Sequence, residues 1–532
     1  MTPIHSDDLQ RYLESQHNYK IVGMVDIDQL SAQPRNILFK LLRQWYKPTF
    51  ENNERVVLFS RYKVSYEMLA HIQKCSCLVD VSNFFILMCG EVDHDQLEQI
   101  RKNYSSDDCV FSTLSVQFTD NHEGLLDKTV LNLPESFCFA PWAHLEISSL
   151  GEFKPCCVYK ESITNSNGQA FNINTDDINS VYTSTYMQDL RQKFLDGQKP
   201  NGCDNCWYKE QHTGTSNRKW VTDYLGLDAQ CLNIEQDSPD NLISLDIKLG
   251  NLCNFKCRIC GPSASSRVAE EQSKYFSTSF DLKSMNRRGR WVENQNIWHM
   301  LENFGKQLVN IDFYGGEPFL IPQHETFLDF LIANNFASKI RLHYNSNGSI
   351  YPDHLFEKWK LFRQVDIAFS IDNTGQRFEL ERGGNWSQVE HNLDSFCNSK
   401  LPNMFLSIFC TVNVQNVYYL DQVIDWFETK QFNKLIFNLL DQPKILSITS
   451  INNDLLDVTI SQLEKIPVDK RIRYSVNSII DLLKHEKNSV ESLDQLADYM
   501  LKLDSIRNQK FSQTHSEIAN IIYKGKNHGQ TI

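Results

Sequence analysis

No stretch of the 532-residue chain approaches the run of about 18 apolar residues that marks a membrane-spanning helix. The apolar run NFFILMCG at 83–90 is far too short. The N-terminus, MTPIHSDDLQRYLESQ, lacks a basic segment followed by an apolar one, so no targeting leader is expected. Positive charge is not in surplus either. The formal net charge is −13, which argues against a broad nucleic-acid surface, because neutralising phosphates takes clustered Lys and Arg. None of the 15 histidines stands in an H-x₃-H pair, so no separate mononuclear metal site is expected. Internal repeats and low-complexity segments are also missing. These absences leave a chain expected in the cytoplasm, with neither membrane nor nucleic acid as partner.

What is present is cysteine, 15 residues of it. A cytosolic compartment keeps thiols reduced, so clustered cysteines there point to metal or catalysis rather than to a disulfide framework. Length suggests three or four domains at roughly 150 residues each. Residues 1–130 read as an α/β module of unknown role, with strand-like VVLFS (56–60), CLVDV (77–81) and FFILMCG (84–90) and helical VSYEMLAHIQK (64–74) and HDQLEQIRKNY (94–104). Its Cys75 and Cys77 read as packing cysteines. Residues 131–230 are rich in Cys, Gly, Asn and aromatics, with one clear helix at 185–198.

From 242 to 440 the texture becomes regular. Strand-like runs at 243–249, 309–315, 339–345, 365–371, 405–412 and 434–440 alternate with helical patterns at 324–335, 386–397 and 419–428. Further helical stretches near 263–275 and 294–307 fall between the first two strands. Alternating β and α predicts a parallel sheet, and six units are fewer than the eight of a closed barrel. The tail, 441–532, is polar and mostly helical, with an amphipathic stretch at 491–503.

CNFKCRIC (253–260) follows the first strand of this series and places Cys253, Cys257 and Cys260 at Cys-x₃-Cys-x₂-Cys spacing. Chemistry in parallel α/β folds gathers at the carboxyl ends of strands. Three ligands leave an open coordination position on a cluster; the alternative is zinc closed by a distant fourth ligand. FYGGEP (313–318) ends the second strand: Gly315 and Gly316 leave the backbone unshielded for a ligand, Glu317 supplies a carboxylate and Pro318 stiffens the exit.

These motifs resemble those of the radical S-adenosylmethionine (SAM) superfamily. The resemblance implies an α/β fold, a partial (β/α)₆ barrel over residues 242–440, preceded by the cysteine-rich region and the N-terminal α/β module. It implies that Cys253, Cys257 and Cys260 hold a 4Fe–4S cluster whose open iron binds SAM, and that one electron cleaves SAM to a 5′-deoxyadenosyl radical that abstracts hydrogen from substrate. Ile259 stands where relatives often have an aromatic residue and could pack against adenine. Gly315, Gly316, Glu317 and Pro318 match the family's SAM-binding turn. Ser370 and Asp372, in FSID at 369–372, resemble its Ser-x-Asp strand end; Arg382 would meet a carboxylate, with a surface ion pair as the alternative; and Asn413 or Asn416 would touch the adenosine.

The cysteine-rich region resembles the twitch and SPASM auxiliary-cluster domains, although it precedes the core rather than following it. On that pattern Cys138, Cys156, Cys203 and Cys206 hold a second, auxiliary 4Fe–4S cluster; Cys157 remains an alternative to Cys156, and structural zinc an alternative to iron. The implied partners are a peptide or small-molecule substrate and a reductant such as flavodoxin or ferredoxin. The expected reaction is hydrogen abstraction from a peptide or protein side chain. A sugar or alcohol dehydrogenase with the same radical start is the alternative, and a non-catalytic, metal-stabilised binding protein is the alternative from another class.

Overall fold

The computed structural model describes residues 133–213, 216–225, 239–276, 280–294, 297, 302–448, 453–467, 472–485 and 493–524, together with six strands nearer the N-terminus. The chain divides into two compact units, one of Met1–Phe139 with Arg218–Gln236, the other of Ala140–Asn217 with Asp237–Ile532.

In the first unit, β1 (Thr2–Ile4) pairs in parallel with β6 (Val116–Phe118). Strands β2 (Lys20–Asp26), β3 (Glu54–Ser60), β4 (Phe84–Met88) and β5 (Val110–Thr113) form a parallel sheet in that order. The runs VVLFS and FFILM therefore fall on strands. CLVDV, the helical patterns at 64–74 and 94–104, and Cys75, Cys77, Cys89, Cys109 and Cys231 lie outside the described residues.

The second unit is built on an eight-stranded sheet. Six strands carry the alternating pattern of the sequence: β9 (Ser244–Lys248), β10 (Asn310–Tyr314), β11 (Arg341–Ser346), β12 (Gln364–Ser370), β13 (Met404–Val412) and β14 (Lys434–Leu439). They pair in parallel in sequence order, giving the partial barrel. Two strands were not legible. His144–Ile147 forms β7, parallel to β9, and Phe153–Lys154 forms β8, antiparallel to β7. Four residues make too short a run to show a period, so β7 was lost in the irregular texture around it.

The two faces of the sheet differ in kind. Leu145, Ile147, Leu245, Ile247, Ile311, Phe313 and Leu342 are fully buried on one face. There Phe313 packs on Tyr344, Phe327 and His324, at ring-centroid distances of 5.1–5.5 Å, under the helix Pro322–Ala333. The residues that alternate with them are polar and form the other, concave face.

The cysteine-rich region holds more helix than its sequence shows. Besides the expected helix, Thr185–Leu195, it forms Ile178–Tyr182 and Asp204–Thr213. DNCWYKEQHT has no apolar stripe. Tertiary bonds accompany the helix instead: Asn205 donates to Asp441 at 2.6 Å and Lys209 to Asn438 at 3.1 Å, at the β14 edge. Residues 140–213 therefore touch both edges of the open barrel, β9 through β7 and β14 through this helix. The tail folds into helices that include Asn453–Leu463, Arg473–His485, Leu493–Arg507 and Ser516–Ile522, and its side chains Leu496, Met500, Phe511 and Ile518 share a buried cluster with Leu380, Val414 and Tyr419 of the barrel.

If β7 is integral to the barrel, truncating its fully buried Leu145 will act on the main unfolding transition. Leu145→Ala is expected to cost about 2–5 kcal/mol in a chemical-denaturation series. An unchanged main transition would show that β7 merely decorates the sheet edge.

Candidate functional site

The loop after β9 carries the three cysteines and has little regular structure, so its backbone groups must find partners elsewhere. The β10 turn supplies two. Glu317 N–H donates to Leu252 O at 2.8 Å, and Gly316 N–H donates to Ala264 O at 3.1 Å. Gly315 and Gly316 both lie at positive φ, +76° and +59°. A Cβ on Gly316 would stand 2.2 Å from Leu252 O. Gly316 therefore has a structural reason of its own: the space it leaves is taken by the backbone of the cysteine loop, which it docks, whereas Gly315 faces the Lys248 side chain and Gly250 O.

Glu317 is fully buried and ties two strand ends together. Its carboxylate accepts from the Ser346 hydroxyl at 3.0 Å, in the last residue of β11, and from Asn347 N–H at 2.7 Å, just after it. Burial raises its pKa to about 7. Pro318 opens the 3₁₀ turn Pro318–Leu320.

Cys253 and Cys257 are buried and Cys260 is half-buried. Phe255 N–H donates to Cys253 Sγ at 3.5 Å and the Asn347 amide does so at 3.8 Å. Burial pushes the Cys253 thiol up to about 11. The Cys260 hydrogen bond, with help from Arg382, brings Cys257 down to about 7.

Arg382 meets a carboxylate of the chain itself. It forms a buried ion pair with Asp372, and this correction to the sequence reading replaces the surface pair by an internal one. Asp372 also accepts from Thr411 N–H at 2.8 Å. Arg382 Nε is buried without a hydrogen-bond partner, so a cationic donor beside Cys257 and Cys260 is left unsatisfied. Ser370 ends β12 and is half-buried. Asn413 and Asn416 are fully buried in the turn after β13, and their side chains bond to the chain itself: Asn413 to Thr411 O at 2.9 Å in β13, Asn416 to Asp372 O at 3.0 Å after β12. Ile259 packs against the cluster formed by the tail helices.

The concave face beside this loop is a polar lattice in register. Glu146, Asp246, Asp312, His343 and Asp366 occupy one row across five neighbouring strands. Opposed like charges are costly unless compensated. Lys248 meets Glu146 at 2.7 Å, His144 meets Asp246 at 3.2 Å, and Arg341 bridges Asp312 and Asp366. Burial and the Asp246 charge push Asp312 well above the usual carboxylate range, whereas His144 holds Asp246 low despite its burial. Glu146 Oε2 and Asp246 Oδ1 remain buried without hydrogen bonds. Cys157 lies near Asp246, Glu146 and Lys248; its burial, these carboxylates and its neighbour Cys156 push its thiol well up. Perturbed buried groups of this kind concentrate where substrates are handled.

The turn of Cys156 adjoins that of Cys203. Tyr159 N–H donates to Cys156 O and Lys160 N–H to Gly202 O, each at 3.2 Å, and Lys160 meets Asp204 at 2.7 Å. A Cβ on Gly202 would overlap the Tyr159 ring at 2.3 Å, so only glycine permits this approach. Cys206 follows in the first turn of Asp204–Thr213. Cys138 is buried in the other compact unit, where Arg218 donates to Glu135 O and Phe137 O at 2.9 and 2.8 Å.

The family model of the radical SAM superfamily matches residues 247–427, and that of the SPASM iron–sulfur cluster-binding domain matches residues 138–207. The chain carries a radical SAM domain and a SPASM domain. Its cofactors are accordingly a 4Fe–4S cluster with SAM and auxiliary iron–sulfur chemistry. No curated protein matches the sequence. A solved structure, "Structure of TYW1 with a lysine-pyruvate adduct bound", is similar at 12% identity over 48% of this chain and 80% of that one, with a TM-score of 0.27. So distant a likeness fixes neither topology nor substrate. Among the described residues, no helix of the enzyme is long and apolar enough to cross a membrane, and no group of three His, Cys, Asp or Glu could hold a single metal ion.

The sequence reading missed Asn347, whose amide reaches Cys253, and the inward residues His144 and Glu146. Asn347 stands in SNGS (346–349), just past a strand-like run, and nothing local shows that its amide folds back on a cysteine 94 residues earlier.

The Gly316 contact gives a direct test. Gly316→Ala is expected to displace the cysteine loop and weaken SAM binding by at least about tenfold in equilibrium dialysis. Gly168→Ala, also at positive φ (+75°) but with open space around it, is expected to leave SAM binding unchanged.

Proposed function

We propose that Cys253, Cys257 and Cys260 ligate the SAM-binding cluster, that the Gly315–Pro318 turn with Ser370, Asp372, Arg382 and Asn413 shapes the SAM site, and that Cys156, Cys203 and Cys206 ligate the auxiliary cluster. The observation that carries this reading is the direct hydrogen bonding of the three-cysteine loop to the Gly-Gly-Glu-Pro turn at adjacent parallel strand ends. The donor set fits the group. Three thiols beside a buried guanidinium with an unsatisfied Nε suit an anionic, thiolate-ligated cluster, and the carboxylate end of SAM, better than a neutral packing role.

When bound, the cluster and SAM supply the one-electron cleavage that starts hydrogen abstraction. The residues of the chain do the rest. Asp372 fixes the orientation of Arg382, Glu317 locks the two strand ends, and the apolar face and helices behind them keep the site rigid. The substrate is a peptide or protein side chain received on the concave face, and the electrons come from a low-potential carrier of the flavodoxin or ferredoxin kind. A hydroxylated small molecule is the second reading. The row of inward carboxylates with two bare oxygens favours it, since hydroxyls donate to carboxylates.

Anaerobic reconstitution followed by dithionite and SAM is expected to yield 5′-deoxyadenosine, and Cys257→Ala to abolish it. Complete iron loading without that product would sink the radical reading. Two clusters predict about eight irons per chain, and Cys203→Ala/Cys206→Ala should halve that number; about four in the parent would remove the auxiliary cluster.

A further inference from the structure

Arg258 sits between two of the proposed ligands, in Cys257-Arg-Ile-Cys260, and its side chain points away from them into the protein. The guanidinium is fully buried. It donates to Asp504 at 2.5 Å, to Gln509 at 3.0 Å and to Leu380 O at 3.3 Å. Two of these three partners belong to the C-terminal segment, 246 and 251 residues away. The exchange is reciprocal. Arg507, from the same segment, donates to Lys256 O inside the cysteine loop at 2.6 Å and pairs with Glu271 just beyond it at 2.7 Å. The backbone joins in, since Arg258 N–H donates to Glu381 O at 2.7 Å and Glu381 in turn meets His515 of the tail at 2.8 Å.

We infer that the C-terminal segment 493–524 is a working part of the cluster site, and that Arg258 is the positioning residue through which it sets the cysteine loop. The inference rests on the reading that Cys253, Cys257 and Cys260 hold the SAM-binding cluster. A tail that only covered the barrel would need apolar contact, which the packing of Ile259 already provides. Directional charge-assisted bonds add something else. A planar guanidinium held by a carboxylate, an amide oxygen and a carbonyl accepts one orientation, and that fixes the backbone from which Cys257 and Cys260 project. Asp504 is itself held, because its second oxygen accepts from Phe511 N–H at 2.7 Å. The same strut reaches Arg382, which directly follows Glu381 and stands beside the thiols. Groups that orient ligands without touching the metal commonly alter metal affinity when removed.

The test uses the full chain, reconstituted anaerobically, as the parent and as the Asp504→Asn and Arg258→Lys variants. Circular dichroism and retention of the auxiliary iron report folding. The readouts are iron release to bathophenanthroline and the SAM-induced change in the electron paramagnetic resonance spectrum after dithionite reduction. Both variants are expected to keep the auxiliary iron while losing the other iron about tenfold faster, and to need about tenfold more SAM for the spectral change. Variants that melt earlier yet release iron and respond to SAM as the parent does would reduce the tail to a stabilising cover and overturn the inference. If Arg258→Lys does not fold, Gln509→Leu, which removes only a neutral partner, must show a smaller change in the same direction; parent-like behaviour in that variant overturns the inference as well. Cys257→Ala run alongside separates the two claims. Unchanged iron content there refutes the ligand reading whatever the tail does.

Discussion

A loop that buries thiols without a hydrogen-bond ladder of its own depends on what surrounds it, and this dependence organises the second unit. The segment 251–260 receives its order from outside: from the β10 turn through Leu252, from the segment after β12 through Arg258, and from the C-terminal helix through Lys256. Each contact uses a backbone amide, a backbone carbonyl or a guanidinium, groups that are expensive to bury unpaired. The loop is therefore held in place by the cost of releasing its neighbours as much as by its own contacts.

Much of this was legible in the sequence because it is local. The six core strands and their helices show their periods directly, and the two motifs mark their strand ends. What was not legible is contact between segments far apart. β7 has four residues and no period, yet its His144 bonds Ser244 100 residues later. Arg258 reads as one more charged residue in a loop until Asp504 arrives beside it. Gly316 was visible as a glycine, but its neighbour was not; the same residue type serves an open path or a tight approach, and only the position of Leu252 decides.

The concave face shows the opposite economy from the core behind it. There the sheet is apolar and closely packed; here carboxylates stand in one row on neighbouring strands, compensated by Lys248, His144 and Arg341 but not completely. A fold selected for stability alone has no use for buried carboxylate oxygens without partners. Cys157 stands beside Asp246, Glu146 and Lys248 of this polar face, one residue along from Cys156, whose carbonyl accepts from Tyr159 N–H.

The order of segments along the chain has a consequence for how the molecule is made. β7, Cys156, Cys203 and Cys206 precede the strands they dock against, and the Asn205–Asp441 bond spans 236 residues. At roughly 5–20 residues per second, synthesis leaves these thiols without their final neighbours for tens of seconds. Contacts this distant also form slowly, because loop closure must come before they contribute. The leading segment thus waits for its final neighbours until β14 has emerged, and its thiols are not yet packed against the barrel during that interval.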